Sequence, residues 1–131
     1  MRYLLPFEAI QRSVRIATER GQLSVNTSYD NFIEIVKALL TAVEVDETWY
    51  TQQYPDIGRA IADGTIESAR WHFVNHGYKE GRLPFRIEVD EDWYLENNPD
   101  VAEGVASGQI ASGQRHFEDD GYREGRRPFP T

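Results

Sequence analysis

The 41 residues from Val45 to Phe85 align without a gap on Val89 to Phe129, 44 positions downstream, and 20 of the pairs are identical. The matches fall in blocks. "VDETWY" lies on "VDEDWY", "PDI" on "PDV", and "HFVNHGYKEGRLPF" on "HFEDDGYREGRRPF". A period of this length holds two or three short helices with their turns, and such units bury their apolar faces by stacking on one another. Stacks usually need about three units. With two here, residues 1–44 or a second subunit must cover the remaining apolar surface.

Helix punctuation recurs within each copy. Asp46 and Asp90 are placed as N-caps, each followed by an acidic residue in the first turn where the helix dipole favours negative charge. Trp49 and Tyr50, or Trp93 and Tyr94, then supply the first side chains for the core. Pro55 and Pro99 end that helix and start the next at its first position. The second helix puts Ile57, Ala60 and Ile61, or Val101, Gly104 and Val105, on one face. Gly64 and Gly108 stop it with positive φ. A third helix opens near Thr65 or Gln109, with Ser68 or Ser112 in its first turn, and ends at Gly77 or Gly121. The closing "GYKEGRLPF" and "GYREGRRPF" read as pinned loops, turned at the second glycine, with Phe85 and Phe129 folding back as plugs.

Residues 1–44 do not match the repeat. "SYDNFIEIVKALLTAV" predicts one amphipathic helix, capped by Ser28 or Asp30, with Phe32, Ile33, Val36, Leu39 and Leu40 on its apolar face. Those five residues are the expected self-association surface. For residues 6–27 a helix with Phe7, Ile10, Val14 and Ala17 inward competes with a hairpin of "SVRIAT" and "LSVNT" around "ERGQ"; the helix is preferred. The expected fold is therefore all-α: an N-terminal helical segment 1–44, then two tandem homologous units, 45–88 and 89–131, of three short helices each, in one compact domain.

Charge narrows the partners. The net charge is -8, distributed as 0 over residues 1–44, -2 over 45–88 and -6 over 89–131. Phosphate-tracking nucleic-acid binders draw affinity from clustered Lys and Arg, and no such block exists here. "MRYLLPFEAI" is too short and too polar for a signal-peptide core or a membrane span, so no membrane insertion is expected and the expected location is cytoplasmic. There are no cysteines, which removes thiol nucleophiles and cysteine-held zinc.

The repeated motif invites a catalytic interpretation. His72 and His116, Glu80 and Glu124, and Arg82 and Arg126 occupy equivalent positions. An active site draws unlike residues into one cleft, whereas two near-equal copies of a Gly, Pro and Arg constellation suit repeated geometry. We therefore expect a structural role: each His bonds a loop carbonyl, each Arg grips a carboxylate or helix-end carbonyls, and each Glu reaches backbone amides in the turn. No catalytic residues are assigned. His72 and His76 have the spacing of helical metal ligands, but Asp120 replaces His76 in the second copy and no zinc signature surrounds the pair. The acidic run "VDEDWYLENNPD" lacks the loop glycine and the alternating ligands of an EF-hand, so neither metal nor cofactor is expected. Trp49, Tyr50, Tyr78, Trp93, Tyr94 and Tyr122 would form the ligand surface if the chain bound sugars.

The segments "WYTQQYPDIGRAIADG", "HFVNHGYKEGRLPF", "WYLENNPDVAEGVASG" and "HFEDDGYREGRRPF" resemble a bacterial repeat. Its general form is Tyr, then Asn/Tyr-Pro-Asp-Val/Ile, then His-Phe/Tyr, then Gly-x-x-Glu-Gly-Arg-x-Pro. That repeat is seen beside glycosyltransferase domains and in large secreted repeat proteins. The resemblance covers residues 45–129 and implies an accessory role in making or displaying surface polysaccharide, with no activity carried by the repeat itself. The expected function is a non-catalytic interaction or assembly module that forms homo-oligomers and offers an acidic surface to a basic protein. A carbohydrate-binding accessory protein is the alternative. A small hydrolase or lyase built on His72, Glu80, His116 and Glu124 ranks third.

Overall fold

A computed structural model of the chain describes residues 2–131. The Ser28 side chain accepts the Asn31 N–H and starts α2, Tyr29–Leu40. Asp46 accepts from the Trp49 N–H at 3.0 Å and starts α3, Glu47–Gln53. Pro55 opens α4, Pro55–Ala62, which closes at Gly64 with φ of +83°. Ser68 caps α5, Ala69–His72, and this helix runs on as a π-helical turn, Phe73–Gly77. The second copy repeats every step: α6, Glu91–Asn97, behind Asp90; α7, Pro99–Ala106; Gly108 at +83°; then α8, Gly113–His116, behind Ser112. Its π-helical turn is Phe117–Gly121.

Two boundaries differ from expectation for a local reason. Ser68 and Ser112 are caps rather than first-turn residues. The Thr65 and Ile66 N–H groups both return to the Ala60 carbonyl, at 2.9 and 3.2 Å, so this segment finishes α4 instead of starting α5. Gly81 and Gly125 do take the positive φ expected of the loop, +80° and +79°. Phe85 and Phe129 are not plugs; both are exposed. The loop is held instead by its backbone, the Asp46 N–H donating to the Pro84 carbonyl at 2.9 Å and Asp90 to Pro128 at 3.0 Å.

The chain is mostly helical, but it is not all-α. After a short α1, Phe7–Ser13, residues Arg15–Glu19 and Gln22–Asn26 form β1 and β2, an antiparallel hairpin with Ile16 opposite Val25 and Thr18 opposite Leu23. The preferred helix is thus observed only over Phe7–Ser13, and beyond it the competing hairpin is what forms. Arg20 and Gly21, at φ of +51° and +77°, are the two-residue turn that twists with the strands. Ile16, Thr18, Leu23 and Val25 alternate with polar residues at a period of two, which a helix would scatter around its circumference.

Two apolar clusters follow. The first joins Leu40, Tyr50, Ile57, Ala69 and Phe73, with Val36 and Val43 packed against it. The second joins Leu83, Val89, Tyr94, Val101 and Phe117, with Trp49 and Ile87 against it. Leu83 and Trp49 thus leave their own copy and complete the core of the next one. The end of α2 does the corresponding service for the first cluster: Arg70 Nη1 donates to the Val43 carbonyl at 2.9 Å, as Gln114 Nε2 donates to that of Ile87 at 2.8 Å.

The outward side of the second copy is altered at two positions that match this seam. Asn98 stands where Tyr54 does, and Arg127 where Leu83 does. Arg127 is exposed, while Leu83 is 1% exposed. Leu83→Ala should therefore cost about 2–5 kcal/mol, the usual range for a fully buried leucine, measured by urea denaturation. Arg127→Ala, by contrast, should stay within about 0.5 kcal/mol of wild type.

Candidate functional site

The repeated polar residues converge in each copy. α3 carries Tyr50 inward and α5 carries His72, so that the Tyr50 hydroxyl lies 2.8 Å from His72 Nδ1. On the far side of the ring, His72 Nε2 is 3.5 Å from Glu80. Glu80 accepts from Arg82 Nε at 3.0 Å, and the two Arg82 amino groups donate to both oxygens of Asp56 at 3.1 and 3.0 Å. The second copy repeats the chain: Tyr94 to His116 at 2.9 Å, His116 to Glu124 at 3.7 Å, Arg126 to Glu124 at 3.0 Å, and Arg126 to Asp100 at 2.9 and 2.7 Å.

Burial sets the protonation states. It pushes the Tyr50 hydroxyl well above its ordinary value, so Tyr50 keeps its proton and donates it to Nδ1. Burial also lowers His72, opposed in part by the Glu80 carboxylate. The imidazole is then neutral with its proton on Nε2, facing Glu80. Hydrogen bonds from Arg82 hold Asp56 below the usual carboxylate range, and those from Arg126 hold Asp100 at about 2. Among the described residues, no buried side-chain nitrogen or oxygen lacks a hydrogen-bond partner.

The expected partners of the motif are therefore revised. Each histidine meets a tyrosine hydroxyl rather than a loop carbonyl. Glu80 and Glu124 meet His and Arg rather than turn amides. Arg82 and Arg126 do grip a carboxylate, that of the "PD" segment. Arg82 also lies over the Tyr54 ring, 4.9 Å from its centre. Gly77 and Gly121 end the third helix of each copy as expected, and they also make room. A Cβ at either would lie 2.2 Å from the hydroxyl of Tyr50 or Tyr94.

Several members of this constellation had a different reading. Glu47 and Glu91 were read as first-turn acids, yet Glu47 accepts the Ala69 and Arg70 N–H groups at 2.9 and 3.1 Å, and Glu91 those of Gly113 and Gln114 at 2.6 and 3.0 Å. Each therefore seals the N-terminus of the third helix of its copy. Asp56 and Asp100, each following the proline of its copy, are the carboxylates that Arg82 and Arg126 grip. Identity at the same place in both copies is the signal that marks all of these residues.

The aromatic candidates do not form one surface. Tyr50 and Tyr94 are 0% exposed and present no ring face to a ligand. Trp49, Trp93 and Tyr122 are half-buried and Tyr78 is exposed. On α2, Leu40 is buried in the first cluster with Val36 against it, and Ile33 is half-buried, while Phe32 and Leu39 face outward. His76 is exposed and stacks edge-on with Trp71, its ring 5.5 Å away. No cluster of three or more His, Asp or Glu side chains among the described residues could hold a metal ion, and no helix there is long and apolar enough to cross a membrane.

A polar cleft of about 600 Å³ lies at the junction of the copies, lined by Gln52, Tyr54, Arg82, Arg115, Glu118 and Arg123 among others. Its arginines are already engaged: Arg115 with Asp119 at 2.9 Å, Arg123 with the Asp119 carbonyl and with Asp120 at 3.3 Å. Compared with known proteins, the chain matches no protein-family model, no curated protein and no solved structure.

Two outcomes test this geometry. Gly77→Ala drives a methyl into an enclosed tyrosine and should cost about 1–3 kcal/mol in urea denaturation. His72 is held neutral in the fold, so on acidification the unfolded chain takes up its proton first. Its contribution is complete above its ordinary pKa of 6.5 and is lost as the pH falls below that towards the folded value. Asp56 and Asp100 lose theirs lower, as the pH falls below 3.8. Wild-type stability should thus fall between about pH 7 and pH 5, and the fall should be shallower in His72→Gln.

Proposed function

We propose that this protein is a non-catalytic interaction and assembly module: two homologous helical units, 45–88 and 89–131, carry an acidic surface for a basic protein partner, and residues 1–44 bring copies of the chain together. The observation that carries this is the mutual engagement of Tyr, His, Glu, Arg and Asp in both copies. Every group that could act as an acid, base or nucleophile there is bonded to another member of the same set. A hydrolase or lyase would need at least one of them free to meet substrate; Glu80 and Arg82 do line the cleft at the junction of the copies, but Glu80 is engaged by Arg82 and Arg82 by Asp56.

Charge supports the choice of partner. Residues 89–131 have a net charge of -6, and Asp92, Glu96 and Glu103 on this unit are exposed and outside the motif. Such a surface raises the encounter rate with a basic protein and favours its docking at low salt. The partner we propose belongs to the proteins that make or display surface polysaccharide, a reading supported by the resemblance of residues 45–129 to the bacterial repeat.

Calorimetric titration of the full chain with a lysine-rich polypeptide tests the acidic surface. Binding should weaken steeply between about 50 and about 500 mM salt. Asp92→Lys with Glu96→Lys should weaken it at least tenfold while leaving the unfolding midpoint in place. Binding indifferent to both would overturn the reading. Replacing His72 and His116 together by Gln separates it from catalysis: lost stability fits the proposal, whereas an intact fold with loss of a measured turnover refutes it.

A further inference from the structure

The hairpin has a face that no described residue covers. Side chains directly opposite on paired strands point the same way, so Ile16, Val25, Thr18 and Leu23 share one side, while Arg15, Ala17, Glu19, Gln22, Ser24 and Asn26 share the other. The first set is apolar except for Thr18 and stands in water: Leu23 is 77% exposed and Val25 68%. An isolated two-stranded hairpin is marginal in water and needs an apolar face packed on something to persist. Here α1 touches it at one end, and Asn31 ties the neighbouring Ser13 carbonyl to α2 at 2.9 Å. Neither covers the face.

The apolar surface continues from the hairpin onto α2. Val25, Tyr29 and Phe32 line a groove of about 460 Å³ between the two, and Tyr29 is 72% exposed. Five large side chains, Ile16, Leu23, Val25, Tyr29 and Phe32, therefore expose roughly 100 Å² each. The total of about 500 Å² is at the upper end for the largest apolar patch on a monomer, and is most of the ~800 Å² that one partner contributes to a standard interface.

We infer that this face is closed by the same face of a second copy, hairpin on hairpin, giving an isologous dimer with the acidic units pointing away from each other. The inference rests on the assembly half of the function proposed above and names its surface. Two observations select a second copy as the occupant. Residues 1–44 have no net charge while 45–131 carry all -8, so only the N-terminal faces meet without setting acid against acid. The large exposed apolar side chains are also concentrated there, nine of thirteen among the described residues lying between Tyr3 and Leu39. An apolar face of this size on one copy therefore finds its match on the same segment of another, and a two-fold arrangement satisfies both at once.

The test is the mass of the full chain in solution. Wild-type protein at about 20 μM should sediment at twice its 15.1 kDa monomer mass. Leu23→Thr with Val25→Thr keeps the strand propensity, removes the apolar face, and should return the monomer with an unchanged far-UV spectrum. The chain has no cysteine, so Val25→Cys should give an inter-chain disulfide on mild oxidation, whereas Trp71→Cys, on the repeat units, should not. A wild-type monomer overturns the inference, and so does a dimer that survives the threonine pair. A monomer that floats with anionic lipid vesicles through this hairpin overturns it in favour of a membrane surface. Titration of the threonine variant with the lysine-rich polypeptide keeps the two claims apart: retained binding there leaves the acidic surface intact whichever way the mass falls.

Discussion

A tyrosine hydroxyl pressed against a glycine and bonded to a histidine ring sets the distance between the first and third helices of each copy. Tyr50 is 0% exposed, and its hydroxyl occupies space that any side chain at position 77 would need. Once the ring is there, its hydroxyl requires a partner, because an unpaired buried donor costs about 1–3 kcal/mol. His72 is that partner, and its second nitrogen in turn requires one. Glu80, Arg82 and Asp56 follow in order, ending at the surface where water completes the set. The same demand starts from Tyr94 and ends at Asp100.

The copies are not independent. Leu83 and Trp49 belong to the first by sequence and to the second by packing, while α2 supplies the first with the cover that it supplies to the second. The body of the molecule is therefore a short series in which each member is finished by the one before it. The hairpin stands outside this series. It carries the turn chemistry and the strand pattern for its own conformation, but no described residue packs over its apolar face.

Legibility in the sequence tracked the range of the interaction. Caps and stops at Asp46, Asp90, Gly64 and Gly108 could be read because each depends on residues within a turn of it. Residue 81 could be read as a positive-φ glycine for the same reason. The partner of His72 could not, since a tyrosine 22 residues before it competes with nearer carbonyls on equal chemical terms; Glu80 departs from this pattern, because Arg82 lies only two residues away but the amides of the turn are as near. Residues 15–26 were misassigned because apolar residues at positions 7, 10, 14 and 17 also satisfy a helical period. What decided against it was the pair of left-handed conformations at Arg20 and Gly21, and only the glycine advertises one.

The substitution of Asn98 for Tyr54 and Arg127 for Leu83 gives such a chain a direction of growth. A segment copied from residues 45–88 carries the leucine and tyrosine that receive a successor, so inserting it ahead of the second unit lengthens the body with the same leucine-filled junction at every seam. A segment copied from 89–131 and placed behind it would bury a guanidinium at the new junction. Gene duplication therefore extends this architecture most readily by repeating the unit that presents leucine and tyrosine to its successor.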